Sequence, residues 1–469
     1  MRHTSGIALL SLCLVISTDA VLAQNAGGPG SGVSDFAIAA PERLSEYIQV
    51  DTTNPPGNES RAVAFLAKIF ESAGIEYETA ESAPGRGNIW ARLKGGRKPG
   101  LVLLHHSDVV PADARYWDVD PYAGVIKDGY VYGRGALDMK GLGITQLQAF
   151  LALHASGRKL NRDVLFVATA DEEAGGLFGA GWLVKHKPEI FKGMGFLLNE
   201  GGSGQILGDD KVFLVEVTQK VPLWLRLTAH GRPGHGSSPQ VETAVTRLFR
   251  AGERLAESHF EPRVIDAVET MFAGLADYQQ PAFQAPYRDI RKASQDEEFM
   301  LGLQLENPGA HALLRNTCSL TRVEGSSKIN VVPAEASLEL DCRLLPDQNP
   351  QAFIQQLVTI VNDSNIDFET LMNFTPAVSS QKTELFRAIV SMAEDRVPGA
   401  RVIPSVTTGF TDSHFFRDMG IVSYGFAPFM LTPEAHRGVH GNNERVSVRN
   451  MIDATERMID LVERFSLKP

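Results

Sequence analysis

The chain is poor in the features that mark several large protein classes. It has 3 cysteines in 469 residues, and no C-x-x-C or Cys/His spacing surrounds them, which leaves no thiolate metal site to propose. It lacks an excess of positive charge. Its 45 Lys and Arg stand against 56 Asp and Glu, and the net charge of −11 would repel nucleic acid phosphates. No G-x-S-x-G elbow is present, which argues against a serine hydrolase. Gly133-x-Gly135 is followed by Asp138 where a third glycine belongs, so the dinucleotide fingerprint is absent too. No long low-complexity tract interrupts a composition of 43% hydrophobic and 22% charged residues, that of a globular protein long enough for two domains.

The first residues read as an export signal. Arg2 and His3 precede the mostly apolar Ile7 to Ile16, and Val21-Leu22-Ala23 offers a cleavage site before Gln24. The run is too short for a bilayer span of ~20 residues, although a retained anchor is the alternative. Leu12 is too bulky before Cys13 for a lipidation site. Removal of residues 1–23 would leave an exported chain, periplasmic or secreted, with no stable membrane insertion. Cys318 and Cys342 each lie in an alternating, strand-like segment. Antiparallel pairing in an oxidising compartment would bring the sulfurs together; two buried free thiols is the other reading, and spacing alone does not choose.

Residues 24–34 are glycine-rich and read as an unstructured leader. Helices are expected from about Pro41 to Val50 and from Arg61 to Ala73, the latter stopped by Gly74. Three unbroken apolar runs follow: Leu101–Leu104 before His105-His106, Val164–Ala168 before Asp171-Glu172-Glu173, and Gly195–Leu198 before Asn199-Glu200. Such strands are buried on both faces, as in mostly parallel α/β sheets. A helix from Met139 to Ser156 makes the first crossover. In open α/β sheets ligands bind beyond the carboxyl ends of strands, where all three polar clusters stand.

The pattern changes near Val221. Leu223 to Ala229 alternates, as do residues 317–323 and 335–344, with helices near Thr243–Glu257 and Pro350–Asn362. We expect a catalytic domain formed by 24–219 and 375–469, interrupted by a smaller α+β domain at 220–374 that contains an insertion at about 260–312. Ser447 caps an amphipathic helix over Val448–Phe465, and His440 before it must fold back onto the earlier clusters.

His106, Asp138, Glu173, Glu200 and His440 are oxygen and nitrogen donors suited to two divalent cations that share one carboxylate. Taken singly each has a plainer reading: a solvated strand-end histidine, a helix-capping aspartate, an acidic turn, a surface histidine. Glu172 and Glu173 are the most telling, since adjacent acids at a buried strand end repel one another unless a cation is near. One would then bind metal while the other takes a proton from water.

The segments His106-Ser107-Asp108-Val109-Val110-Pro111, Gly133 to Gly141, Asp171-Glu172-Glu173, Asn199-Glu200-Gly201-Gly202 and His440-Gly441-x-x-Glu444 resemble those of the M20 metallopeptidases, in the right order over nearly the whole mature chain. That family includes carboxypeptidases, aminoacylases and desuccinylases. The resemblance implies a zinc-peptidase catalytic domain with an inserted lid or dimerisation domain, and two Zn2+ ions, with Co2+ or Mn2+ compatible with the same ligands. It implies that Asp138 bridges the ions, that His106 and Glu200 complete one site, and that Glu173 and His440 complete the other. Glu172 would be the general base and acid, and Asp108 the support of His106. Gly231 to Ser237 resembles a lid loop whose histidine, here His235, helps to stabilise the tetrahedral intermediate, often from a partner subunit. Asn330 and Arg343 resemble positions that hold the substrate carboxylate, and Gly409 to Ser413, with Thr411, a substrate-facing loop. The expected substrate is a small peptide or an N-acyl amino acid with a free carboxylate. An N-acyl amino acid deacylase is the nearest alternative, and a catalytically inactive binding protein of the same fold the remote one. A homodimer through the lid is implied by analogy.

Overall fold

The computed structural model describes residues 33–468. The expected export signal, Cys13 and residues 24–32 lie outside the described residues. Among the described residues no helix is long and apolar enough to cross a membrane.

The three apolar runs become neighbouring parallel strands at the centre of an eight-stranded mixed sheet, with Lys98–His106 between Arg162–Thr169 and Met194–Leu207. Gly87–Leu93 and Tyr77–Glu81 extend one side antiparallel. Val422–Leu431, Asp210–Gln219 and Arg401–Thr407 extend the other, and two of the strand pairings there are parallel. Successive residues point to opposite faces, so Leu101, Leu103, Val164 and Phe166 enter one core while Val102, Leu104, Leu165 and Val167 enter another. Helices cover both faces, which explains why these strands alternate in direction but not in polarity. The crossover helix Lys140–Ala155 is buried along almost its whole length, wedged between the sheet and the helix Val448–Ser466. Ser447 caps the latter by accepting from the Asn450 N–H.

The smaller sheet has four antiparallel strands, in the order Thr317–Glu324, Glu335–Leu344, Val221–His230, Ile366–Asn373. Its apolar face packs under Ala244–Glu257 and Pro350–Val361. Cys318 and Cys342 stand directly opposite on adjacent strands and form a disulfide, which decides between the two readings of their spacing.

Two expectations need correction. Beyond Phe260, which packs on Phe353 of the smaller body, the stretch at 260–312 belongs to the larger one. Its helices Asp266–Leu275, Pro281–Arg288 and Glu297–Glu306 send Val268, Phe272, Tyr287, Met300 and Leu303 into the larger core. The reason is the edge strand Arg401–Thr407, whose apolar side chains need cover. Gly274 allows the close approach, since a Cβ there would meet Ile403 at 2.8 Å. Glu200, for its part, is not at a strand end. The strand runs on to Leu207 and turns back as a hairpin with Asp210–Gln219. The sheet is irregular there, with a register break opposite Gly425 and Ala427. A Cβ at Gly202 would lie 2.4 Å from the Leu214 carbonyl, so the backbones could not pass with a side chain in that position.

Candidate active site

Five separate segments bring the candidate ligands together at one end of the large sheet. His106 ends its strand, and its Nε2 lies 3.2 Å from Asp138 Oδ1 and 3.5 Å from Glu200 Oε1. His440 Nε2 lies 3.0 Å from Asp138 Oδ2 and 3.2 Å from Glu173 Oε2. Asp138 therefore faces one imidazole with each carboxylate oxygen. Two overlapping groups result, His106–Asp138–Glu200 and Asp138–Glu173–His440, each with its donor atoms within 4.8 Å of one another. Three carboxylates and two imidazoles suit zinc or another borderline divalent ion.

The donor set also behaves as one that awaits positive charge. Glu173 Oε1 is buried and has no hydrogen-bond partner among the described residues. Burial, reinforced by Asp138, raises the Glu200 pKa to about 7. Burial and then Glu200 push Glu172 well above the usual carboxylate range. Hydrogen bonds to Asp138 and Glu173 lift His440 to about 10. Burial opposes a charge on His106, yet Glu200, Asp108 and Asp138 hold its pKa well above normal. Crowded acids that borrow protons or imidazolium partners are the expected result when acids cluster away from water.

The surrounding bonds fix the geometry. His106 Nδ1 donates to the Asp108 main-chain carbonyl at 3.0 Å, with the Asp108 carboxylate at 3.5 Å. That carboxylate accepts from the Glu172 and Glu173 N–H groups, at 3.1 and 3.2 Å, and from Asn54 at 2.8 Å. Asp108 thus ties the histidine to the acidic turn. Glu172 Oε2 lies 4.0 Å from His106 Nε2, beside the cluster without completing either group.

Glu444 and Asp412 lie within the His440-Gly441-x-x-Glu444 and Gly409–Ser413 motifs, which assign neither a role. Glu444 is fully buried; it accepts from Arg134 at 2.6 Å and from the N–H groups of Gly135, Leu137 and Asp138. It holds the loop that carries Asp138. Asp412 is buried near Glu172, accepts from Thr169 at 3.1 Å, and is raised to about 8 chiefly by burial. The only signal was their spacing from His440 and Thr411. Arg86, which pairs with Asp171 and Glu59 beneath the turn, gave none.

The remaining expected residues stand apart from the cluster. His235 is exposed and bonds Ser237 Oγ at 2.7 Å. It pairs with Val331 in a short ribbon, which brings it next to Asn330. No hydrogen bond or ion pair among the described residues joins either to the five ligands. Arg343 binds Asp341 at 2.6 Å and stacks 5.3 Å from the Phe410 ring, and its Nη1 is buried without a partner among the described residues. Thr411 is buried and donates to Gln219 at 3.1 Å, close beside Gly201. His414 stacks on Phe374 and belongs to neither ligand group.

Residues 102–464 match the model of peptidase family M20/M25/M40. The chain is 33% identical over 427 residues to the N-fatty-acyl-amino acid synthase/hydrolase PM20D1 of Xenopus tropicalis, covering 87% of this chain and 82% of that protein. It is 29% identical over 411 residues to aminoacylase-1A of Rattus norvegicus, covering 86% and 89%. Among solved structures it resembles the M20 metallo-carboxypeptidase Sso-CP2 of Sulfolobus solfataricus, with a TM-score of 0.70 and 19% identity over 91% of this chain and 99% of that one.

Proposed function

The chain belongs to peptidase family M20/M25/M40, and on that premise we propose that it is a two-metal hydrolase that cleaves the amide bond of N-acyl amino acids or small peptides with a free carboxylate. The observation that carries the reading is the sharing of Asp138 between two imidazoles, at 3.2 and 3.0 Å, with Glu200 and Glu173 completing the two groups. Zinc is the ion we assign; Co2+ or Mn2+ would suit the same donors. Bound at His106–Asp138–Glu200 and Asp138–Glu173–His440, two cations would supply Lewis acidity, lowering the pKa of water and polarising the carbonyl.

The chain's own residues do the rest. Glu172 accepts a proton from the attacking water at its carboxylate. The water oxygen bonds to the acyl carbon, the carbon–nitrogen bond breaks, and Glu172 returns the proton to the leaving nitrogen. Its place beside the two ligand groups, 4.0 Å from His106 Nε2, puts it in reach of both halves of that exchange. Arg343 offers the unpartnered Nη1 to the substrate carboxylate. His235 and Asn330, on the smaller body, reach the reacting carbonyl only on closure or from a second copy. Exposed Phe249, Leu320 and Val323 on that body support a homodimer through it. The Cys318–Cys342 disulfide supports an exported, periplasmic or secreted chain.

Two relatives are named for acyl amino acids, which favours the deacylase over the peptidase form. Glu172→Gln tests the reading. Turnover of a mixed dipeptide and N-acyl amino acid panel should fall on the order of 10²- to 10⁴-fold, with two metal ions per chain retained in elemental analysis. Persistent turnover in the variant would end the assignment.

A further inference from the structure

The loop that carries His440 separates two cavities. On one side, His436 and Val439 face a space of about 430 Å³ whose wall includes Asp138, Glu200 and the helices of 260–312, through Phe272 and Tyr287. On the other side, Ala435, Arg437, Gly438 and Asn442 face a second space of about 510 Å³. Both flanks of His440 therefore line the second cavity, while its imidazole turns away to Asp138 and Glu173. We propose that this second cavity is an effector site for a free amino acid, held as its zwitterion, and that its occupancy is felt at His440. The wall alone carries the binding; its place as a product site rests on the amide-hydrolase reading, in which an amino acid is released.

Arg437, Arg445 and Glu434 all line this cavity. No ion pair among the described residues joins Glu434 to either arginine, so opposite charges stand apart in one wall. Arg445 is half-buried, with the Tyr130 and Tyr132 rings 5.3 and 5.4 Å from its guanidinium. Its Nη1 reaches only the Asn443 carbonyl, at 3.4 Å. A guanidinium covered by aromatic rings keeps its edge for an anion, and a carboxylate fits that fork with two parallel bonds. Glu434 supplies the counter-charge for an ammonium group. A dianion would meet repulsion from Glu434, and a simple amine would leave both arginines unanswered. A ligand with one charge of each sign satisfies all three.

The remaining wall suits the rest of such a molecule. At roughly 30 Å³ per heavy atom, the space takes an amino acid of about a dozen atoms and a few waters. Ile206, Met430, Leu431 and Val446 form an apolar patch for an aliphatic side chain. The backbone supplies the link to the metal ligands. His440 and Asn443 both hold left-handed conformations, with φ of 57°, which residues other than glycine keep only where their surroundings fix them. Arg134 holds the His440 carbonyl at 3.3 Å, and Arg445 holds that of Asn443. A ligand on Arg437 and Arg445 bears on both ends of this turn, and so on the imidazole. By linkage, a metal ion at His440 must then change the ligand's affinity by the same factor that the ligand changes the metal's.

The test is calorimetry of L-leucine on the full chain. With metal loaded, one leucine per chain should bind, and the Arg343→Ala protein should retain it. Arg437→Glu and Arg445→Met should each weaken it at least tenfold, with melting temperatures near that of the unaltered chain. Leucinamide, which lacks the carboxylate, and 4-methylpentanoate, which lacks the ammonium, should each bind at least tenfold more weakly than leucine. Removing the metal should change the leucine affinity at least threefold. Binding that disappears in Arg343→Ala but survives in Arg437→Glu would place leucine at the reacting centre alone and overturn the proposal. Equal binding of the three compounds would overturn the zwitterion site, and an affinity indifferent to metal the effector role. A chain that hydrolyses amides yet binds no leucine through Arg437 loses this site only; one that binds leucine there and hydrolyses nothing keeps the site and loses the hydrolase reading.

Discussion

The two sheets of this molecule differ in where they can afford polar residues. In the large sheet, Lys98–His106 and Arg162–Thr169 are buried almost residue by residue, because helices cover both faces. In these two strands the reactive side chains come at the end or just beyond it, where His106, Glu172 and Glu173 stand. In the small sheet, Val221–His230 and Glu335–Leu344 alternate buried and part-exposed residues. One face packs on two helices, and the other carries the half-buried Trp224, Arg226, Glu339, Asp341 and Arg343, which bond to one another in pairs. A sheet covered twice concentrates chemistry at its edge; a sheet covered once spreads polar groups along a surface that can meet a substrate. The first region should govern catalysis and the second substrate retention.

The largest break in that contrast is expected beneath the large sheet's reactive edge. Glu444→Ala leaves Arg134 buried without its partner and strips the acceptor from the loop that carries Asp138. Breaking a buried pair in this way costs roughly 3–5 kcal/mol, so the melting temperature and the metal affinity should fall together. Unchanged metal affinity would show that Glu444 acts on the fold alone.

A smaller effect of a different kind is expected from the open face of the other sheet. Arg343→Ala should raise KM by roughly ten- to a hundredfold, the worth of a charged hydrogen bond of ~1.5–3 kcal/mol, with kcat nearly unchanged. A fall in kcat with KM constant would erase the division of labour between the two regions.

The smallest effect sharpens the contrast through pH. Glu200 is raised to about 7 by burial and Asp138, and Glu172 and Glu173 are also raised. A carboxyl whose folded pKa exceeds its unfolded value of about 4.3 holds its proton more tightly when folded. The stability it adds is complete below that value and lost as the pH climbs through about 7. His440, raised to about 10, acts with the same sign at higher pH. Asp138 is lowered and has the opposite sign, but only below the ordinary aspartate range. Protein stripped of metal by a chelator should therefore melt several degrees lower at pH 7 than at pH 5, and restoring the metal should remove the difference. A flat profile in the stripped protein would mean that the acids at the sheet's edge do not crowd one another.

Much of this was legible along the chain. The unbroken apolar runs announced doubly covered strands, and the alternating ones a sheet with an open face, because burial on one or two faces writes itself directly into period-two patterns. The helix caps at Gly74 and Ser447 were equally plain. The stretch at 260–312 was not, since short helices against an edge strand leave no period long enough to say which body they cover. Arg86, Glu59 and Asn54 were invisible for the same kind of reason: a buried polar network is made of partners distant in sequence.

The sequence by itself determined the donor types, their order, and the two kinds of sheet, because side-chain chemistry and local burial are properties of neighbouring residues. Only the tertiary structure decided that His106 and His440 meet across one aspartate, that Cys318 faces Cys342, and that the 260–312 helices wall a cavity at the ligands. Those outcomes depend on distances between segments tens to hundreds of residues apart, which are set by the packing of whole elements and by no local pattern.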